Sequence, residues 1–515
     1  VAVDQQPTRR SVLAGAAGMG LAGMLAACTD GSPAPTPTRS PTPTASASGS
    51  ATAATGPTSW SELAAATSGA LLRPGASAWD AARVLRNARY DDADPHGILR
   101  VANPDDVAAG LAFARNTRTP VALRSGGHSY TGWSAGGAAG TEVPRSLVIS
   151  TAALDSIRIA ADGTSVTVGP GAHLLDVYER LAVARRAIGG GSCGTVGIGG
   201  LALGGGLGVL VRSFGLTCDQ LTGVTLVTAD GRVHEVSASD EPDLFWACRG
   251  GGGGTLGVVT SLTFRTQAAP DLLMFEVVFP WAAAAAVVTA WQRWAPTADR
   301  RLWSSLKLLG GSLHPSGPRV AVIGSWTGPK TGADVAVDTF VRDTGATPLR
   351  HTARATSYGG AMRAYAGNGA RASEAATSSI GTRRLTPAQI RTLLGQVERV
   401  SSVHGVTEGG VALDALGGAV GDLGASDTAF PWRQALWTAQ YTATFTDGAD
   451  PAPFDAAVRG FRAAMRPAWG DAAYANYCDA AVTDPSAYFG ANTARLHAIA
   501  QRADPHGLFA QPHWV

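Results

Sequence analysis

Two side chains fit for nucleophilic chemistry lie in glycine-rich surroundings. His128 sits in Arg124-Ser125-Gly126-Gly127-His128-Ser129-Tyr130. Cys193 sits in Gly191-Ser192-Cys193-Gly194-Thr195-Val196-Gly197-Ile198-Gly199-Gly200, followed by Gly204-Gly205-Gly206-Leu207-Gly208. Glycine allows backbone N–H groups to approach a ligand closely and to cluster into an anion-binding concavity. The simplest reading is a phosphate-bearing cofactor gripped by two loops, each with a reactive residue.

The elements that must position these loops can be read around them. Asn103-Pro104-Asp105-Asp106 starts a helix, with two acids in its first turn, and Val107 to Asn116 continues it. Val121 to Arg124 is a short strand running straight into the first loop. Strands are also expected at Ile98–Val101, Leu147–Ser150, Ser165–Val168 and Leu221–Thr228, and a helix over Gly171–Arg185. A third glycine run, Arg249 to Gly254, follows a helix ending near Ala247 and leads into a strand from Gly257 to Phe264. Its Gly252-x-Gly254-x-x-Gly257 spacing matches a dinucleotide fingerprint, but the flanking elements are in the reverse order for a Rossmann unit. No GxxxxGK[ST] phosphate loop occurs.

Beyond Pro270 the texture changes. Strands are expected at Leu272–Trp281, Arg301–Leu309, Arg319–Trp326, Gly410–Leu416 and Ala435–Phe445, separated by helices at Ala282–Trp294, Thr331–Asp343, Pro387–Val400 and Pro453–Met465. This predicts an antiparallel sheet backed by helices. Trp303, Trp326, Trp432 and Trp437 fall in or near its strands. They could line a ring-binding face, although core packing is the default for each.

With 515 residues the chain can form two or three domains. A net charge of +2 gives no pointer to nucleic acid. Lysine occurs only at Lys307 and Lys330, so arginine supplies nearly all positive charge. The five cysteines, an odd number, do not make a disulfide framework. Cys218 and Cys248 read as small buried hydrophobes. Residues 1–28 carry a twin-arginine pattern at Thr8 to Leu13, an apolar run, and Leu25-Ala26-Ala27-Cys28, which resembles a lipobox. They predict an export signal with lipidation at Cys28. Residues 29–57 are rich in Ser, Thr and Pro and read as a disordered tether.

The two loops, together with Arg212-Ser213-Phe214-Gly215-Leu216-Thr217-Cys218-Asp219 and Asp243-Leu244-Phe245-Trp246-Ala247-Cys248-Arg249-Gly250, resemble the berberine bridge enzyme-like flavoproteins of the PCMH-type FAD superfamily. Tyr474-x-Asn476-Tyr477-x-Asp479, Tyr488-x-Gly490-x-Asn492 and Asp504-Pro505 match that family's C-terminal module. The resemblance runs from about Trp60 onward. It implies an α+β fold: a PCMH-type FAD-binding domain of two α/β subdomains over 58–270, a substrate domain with an antiparallel sheet backed by helices over 271–468, and a C-terminal segment, 469–515, returning to the FAD domain.

The resemblance further implies FAD held by two covalent bonds, from His128 to the 8α-methyl carbon and from Cys193 to C6. It places Arg124, Ser125, Gly126, Gly127, Ser129, Val196, Gly197, Gly200, Gly204, Gly205, Gly206, Gly208, Asp219, Val258, Asn476 and Tyr477 around the cofactor. Tyr477 matches a catalytic base, with Asp414 as its acidic partner and Tyr474 as a second candidate. A tyrosine with a pKa of ~10 needs such a partner. Val196 is where oxygen-reactive members carry a small residue. Trp432-Arg433 replaces a common His-Arg, and Cys478 a common proline; both departures bear on pocket shape. The expected activity is oxidation of an alcohol or hemiacetal carbon, with a saccharide as the leading substrate and O2 reduced to H2O2. Oxidation of a secondary metabolite, a dehydrogenase with another acceptor, and a non-catalytic flavin-bearing lipoprotein are the alternatives. No metal is expected.

Overall fold

The computed structural model describes residues 56–509. The export signal and the lipidation at Cys28 lie outside these residues, as does all but the end of the tether. Among the described residues no helix is long and apolar enough to cross a membrane.

Three sheets carry the fold. The first has the order Ala70–Leu72, Gly97–Arg100, Leu147–Ser150, Val121–Arg124; its last three strands are mutually parallel. The helix Pro104–Thr117 feeds its last strand. The Asn103 side chain accepts from the Asp106 N–H at 2.9 Å to cap it, and it ends at Arg118 in the left-handed region. A five-stranded antiparallel sheet follows, in the order Ile157–Ile159, Ser165–Val168, Val258–Arg265, Leu221–Val227, Val233–Ser237. These two sheets and their helices match the two expected subdomains.

The third sheet has seven antiparallel strands, ordered Arg350–Ser357, Asp271–Phe279, Arg319–Trp326, Leu302–Gly310, Val406–Ala415, Trp437–Phe445, Ser373–Gly381. Alternation divides its two faces. Leu306, Leu308, Val411, Leu413, Ala439 and Tyr441 are fully buried in a core with residues of the helices Ala284–Trp294, Pro387–Ser401 and Ala452–Trp469. The opposite face turns Ser305, Lys307, Ala412, Asp414 and Gln440 toward the first two sheets.

Several expectations are corrected. The Arg350–Ser357 and Ser373–Gly381 strands lack an apolar run and escape a hydrophobic pattern: both sit at sheet edges, the first exposed, the second buried but built mostly of Ser, Thr and Ala. The second glycine stretch is not loop throughout: Ile198–Leu203 forms a short helix, anchored by buried Ile198, Ala202 and Leu203. The helix expected from Gly171 begins only at Leu174, since His173 is extended. Trp326 and Trp437, by contrast, keep their default reading as core residues, on the sheet's helix side. Trp432 lies against the C-terminal segment, its indole N–H donating to the Tyr488 carbonyl at 2.9 Å.

Candidate active site

The parallel strands Val121–Arg124 and Leu147–Ser150 end side by side, where Thr151 N–H donates to the Arg124 carbonyl at 2.8 Å. Ligands in open α/β sheets bind outside such carboxyl ends, and here the first glycine loop begins. Arg124 does not aim its guanidinium at a ligand. It is buried and donates to the carbonyls of Ala82, Ser134 and Ala135, so it braces the loop while its backbone lines the site. The two loops touch through glycine: a Cβ on Gly126 would strike the Gly197 nitrogen, and one on Gly197 the Gly126 nitrogen. No other residue permits that approach.

Together the loops border a cavity of about 490 Å³, within the usual range for small-molecule sites. Ser125, Gly126, Gly127, His128, Ser129, Cys193, Val196, Gly197, Gly200, Gly208 and Val258 all line it. Gly253, Gly254 and Gly257 line it too, so the third glycine run belongs to the site although it is no Rossmann turn. The buried Ser134 hydroxyl borders the same space and has no partner among the described residues. A long cleft walled by backbone amides, with an orphaned hydroxyl, fits a dinucleotide such as FAD.

His128 and Cys193 share one region of this cavity. His128 Nε2 lies 3.0 Å from the Thr195 hydroxyl. Burial, helped by nearby Arg86 and His173, pushes the imidazole pKa down to about 4. The ring is therefore neutral at physiological pH and keeps a lone pair. The Cys193 thiol opens onto the cavity. Burial, with the Glu374 carboxylate, raises its pKa.

The seven-stranded sheet provides the far wall. Asp414 pairs in register with Ser305 on one side and Thr438 on the other. Its pKa is raised by burial, while Ser305 and Lys307 hold the rise back. Tyr477 faces Asp414 from the short turn Ala475–Tyr477. Its phenol is held well above its ordinary pKa by burial and by the charge of Asp414. Tyr130 stands edge-on to Tyr477, with ring centroids 6.1 Å apart, and accepts a 2.6 Å hydrogen bond from Gln440. Tyr130, Gln440 and Lys307 were not singled out from sequence. Tyr130 directly follows the first glycine motif, whereas the other two become visible only through strand register.

Five predicted residues do not border the cavity. Tyr474 is turned away: its hydroxyl accepts from Gly206 N–H at 2.8 Å and from Asn476 at 3.0 Å. Gly204, Gly205 and Gly206 pack against Asn476, Tyr474 and Thr217. Asp219 forms a buried two-pronged pair with Arg433, both contacts at 2.8 Å. These residues fasten the C-terminal segment and the second loop together, which is why they accompany the motif without touching its cargo. Trp432 and Arg433 do not shape the pocket as expected, but Cys478 does line it.

An FAD binding domain model matches residues 95–237, and a berberine and berberine-like model matches 473–515. An uncharacterized FAD-linked oxidoreductase, YgaK of Bacillus subtilis, is 29% identical over 81% of this chain and 90% of its own length. A chitooligosaccharide oxidase of Gibberella zeae is 29% identical over 82% of this chain and 87% of its own. The crystal structure of a glucooligosaccharide oxidase from Acremonium strictum superposes with a TM-score of 0.79 at 25% identity, covering 87% of this chain and 96% of that one. That enzyme carries a 6-S-cysteinyl, 8α-N1-histidyl FAD.

Proposed function

Because the chain belongs to the berberine-like FAD-linked oxidoreductases, we propose that it is an oxidase of a saccharide, with FAD attached through both His128 and Cys193 and O2 as acceptor. One observation carries this reading: the His128 ring, the Cys193 thiol and the Tyr477–Asp414 pair all border a single cavity. Similarity to oxidases of chitooligosaccharides and glucooligosaccharides supports the saccharide.

When bound, FAD accepts the hydride from the carbon that bears the hydroxyl. The protein's own groups do the rest. Thr195 engages the His128 ring at Nε2, and the ring is neutral, so it keeps a nitrogen lone pair for the attachment. The Tyr477 phenol receives the substrate's hydroxyl proton as it passes its own to Asp414. Neither residue suffices alone: Tyr477 is too basic to ionise first, and Asp414 needs the phenol as a bridge. Gln440 and Tyr130 keep the Tyr477 ring edge-on and stationary. Val196, small and at the cavity wall, leaves O2 a path. Export through the twin-arginine signal, with a lipid anchor at Cys28, belongs to the same proposal and rests on the sequence of residues 1–28.

Acid precipitation tests the attachment. The wild-type pellet stays yellow, and the His128→Ala/Cys193→Ala double variant gives a colourless one. Each single variant keeps one tether, seen as a flavin-bearing peptide by mass. A colourless wild-type pellet overturns the two-bond reading. Peroxide release across mono- and oligosaccharides tests the reaction; flavin bleaching without peroxide would remove O2 as acceptor.

A further inference from the structure

Beyond its Coulombic effect on Asp414, Lys307 has no role in the chemistry described so far. It lies on the cavity face of the Leu302–Gly310 strand, opposite Ala412, whose small side chain leaves the ammonium uncovered. Asp414 is its diagonal neighbour across the ladder, about 7–8 Å away by sheet geometry. The two form no ion pair, and Lys307 makes no hydrogen bond among the described residues. Arg124, another cation bordering the cavity, spends its guanidinium on three carbonyls behind the loop. The second lysine of the chain, Lys330, is exposed and paired with Asp334 at 2.7 Å. Lys307 is therefore a half-buried ammonium facing the cavity with no ion pair or hydrogen bond among the described residues.

Leaving such a charge partly desolvated is unfavourable unless something pairs with it. Asp414 feels this charge from across the ladder but does not pair with it directly, so a contact partner has to come from the cavity. Beside Lys307 stands an aromatic wall of Trp303 and Tyr365, centroids 6.4 Å apart and edge to face. The Tyr365 hydroxyl is committed to the Gly324 carbonyl at 2.8 Å, so these rings offer surface and no further acid. Resting on the saccharide reading above, we propose that the substrate is an anionic sugar, bearing a carboxylate or a sulfate ester, and that Lys307 selects it. An ammonium is a compact point charge without the planar fork of arginine, so it accepts either anion.

The test uses the flavin-loaded enzyme and matched pairs: a neutral oligosaccharide, its uronic-acid counterpart and its sulfated counterpart. Flavin bleaching and peroxide release give kcat/KM for each. The expected preference for an anionic member is about tenfold or more, and it shrinks in high salt. The uronate and sulfate arms identify which anion is meant. In Lys307→Met the anionic-to-neutral ratio falls by about tenfold, and Lys307→Arg restores part of it. Neutral sugars oxidised at least as well as anionic ones would overturn the anion inference and leave the saccharide oxidase standing. Equal loss on both sugars in Lys307→Met would also overturn it. If no sugar bleaches the flavin, the saccharide reading fails and takes this inference with it. Should the variant not fold, the wild-type preference and its salt dependence still decide.

Discussion

A carboxyl such as that of Asp414, buried between strands, resists ionising, yet in the proposed mechanism only its ionised form takes a proton from Tyr477. The rate therefore falls as pH drops through the raised Asp414 pKa. The acid limb of kcat should lie above the ordinary carboxylate value of about 4. Asp414→Asn should abolish that limb and slow reduction. Stability should move the other way. With the folded-state pKa raised, the folded chain holds its proton longer than the unfolded one. The cost of keeping Asp414 is absent below the unfolded value, grows as pH rises, and is complete above the folded value. The thermal midpoint of Asp414→Asn should exceed that of wild type near neutral pH, and the gap should close toward about pH 4. For Tyr477→Phe, flavin reduction should slow by about 10²–10⁴-fold with covalent colour retained. Unchanged stopped-flow reduction would take the phenol out of the proton path.

The turn that carries Tyr477 is too short to hold itself in place. Ser378, on the edge strand Ser373–Gly381, accepts from Tyr474 N–H and donates to the Tyr477 carbonyl, both at 3.0 Å. The Tyr474 hydroxyl meanwhile satisfies the buried Gly206 N–H. This element is a clasp between the large sheet and the second glycine loop. Tyr474→Phe keeps the ring but orphans that N–H. It should cost about 1–3 kcal/mol by denaturant titration, with the reduction rate per bound flavin little changed. A rate loss as large as that of Tyr477→Phe would instead put Tyr474 in the chemistry. The edge strand that does the clasping has a polar, small-residue sequence, and so it was invisible to hydrophobic patterning.

Across the whole molecule, what could be read from sequence was whatever depends on local pattern. His128 and Cys193 stand out because few backgrounds are so rich in glycine, and Asp414 and Tyr477 were placed by motif. The central strands of the large sheet announced themselves through buried Leu, Val and Trp. Strand register was not legible, since it is set by partners far apart in sequence. Lys307 and Gln440 join the site only through the pairings Lys307–Ala412 and Ala412–Gln440. Nor could sequence tell a residue that touches the cavity from one that braces it, as Asp219 and Tyr474 show. The clasp has one more implication, concerning time. Gly206 and Tyr474 are 268 residues apart, so during synthesis both glycine loops leave the ribosome long before the piece that completes their wall. Loop closure over such a distance is costly and slow. A nascent chain halted before Tyr474 should lack the clasp and the proton path, and its hold on flavin should be loose. Under the proposed covalent attachment, loading should be a checkpoint passed only once the clasp has been made.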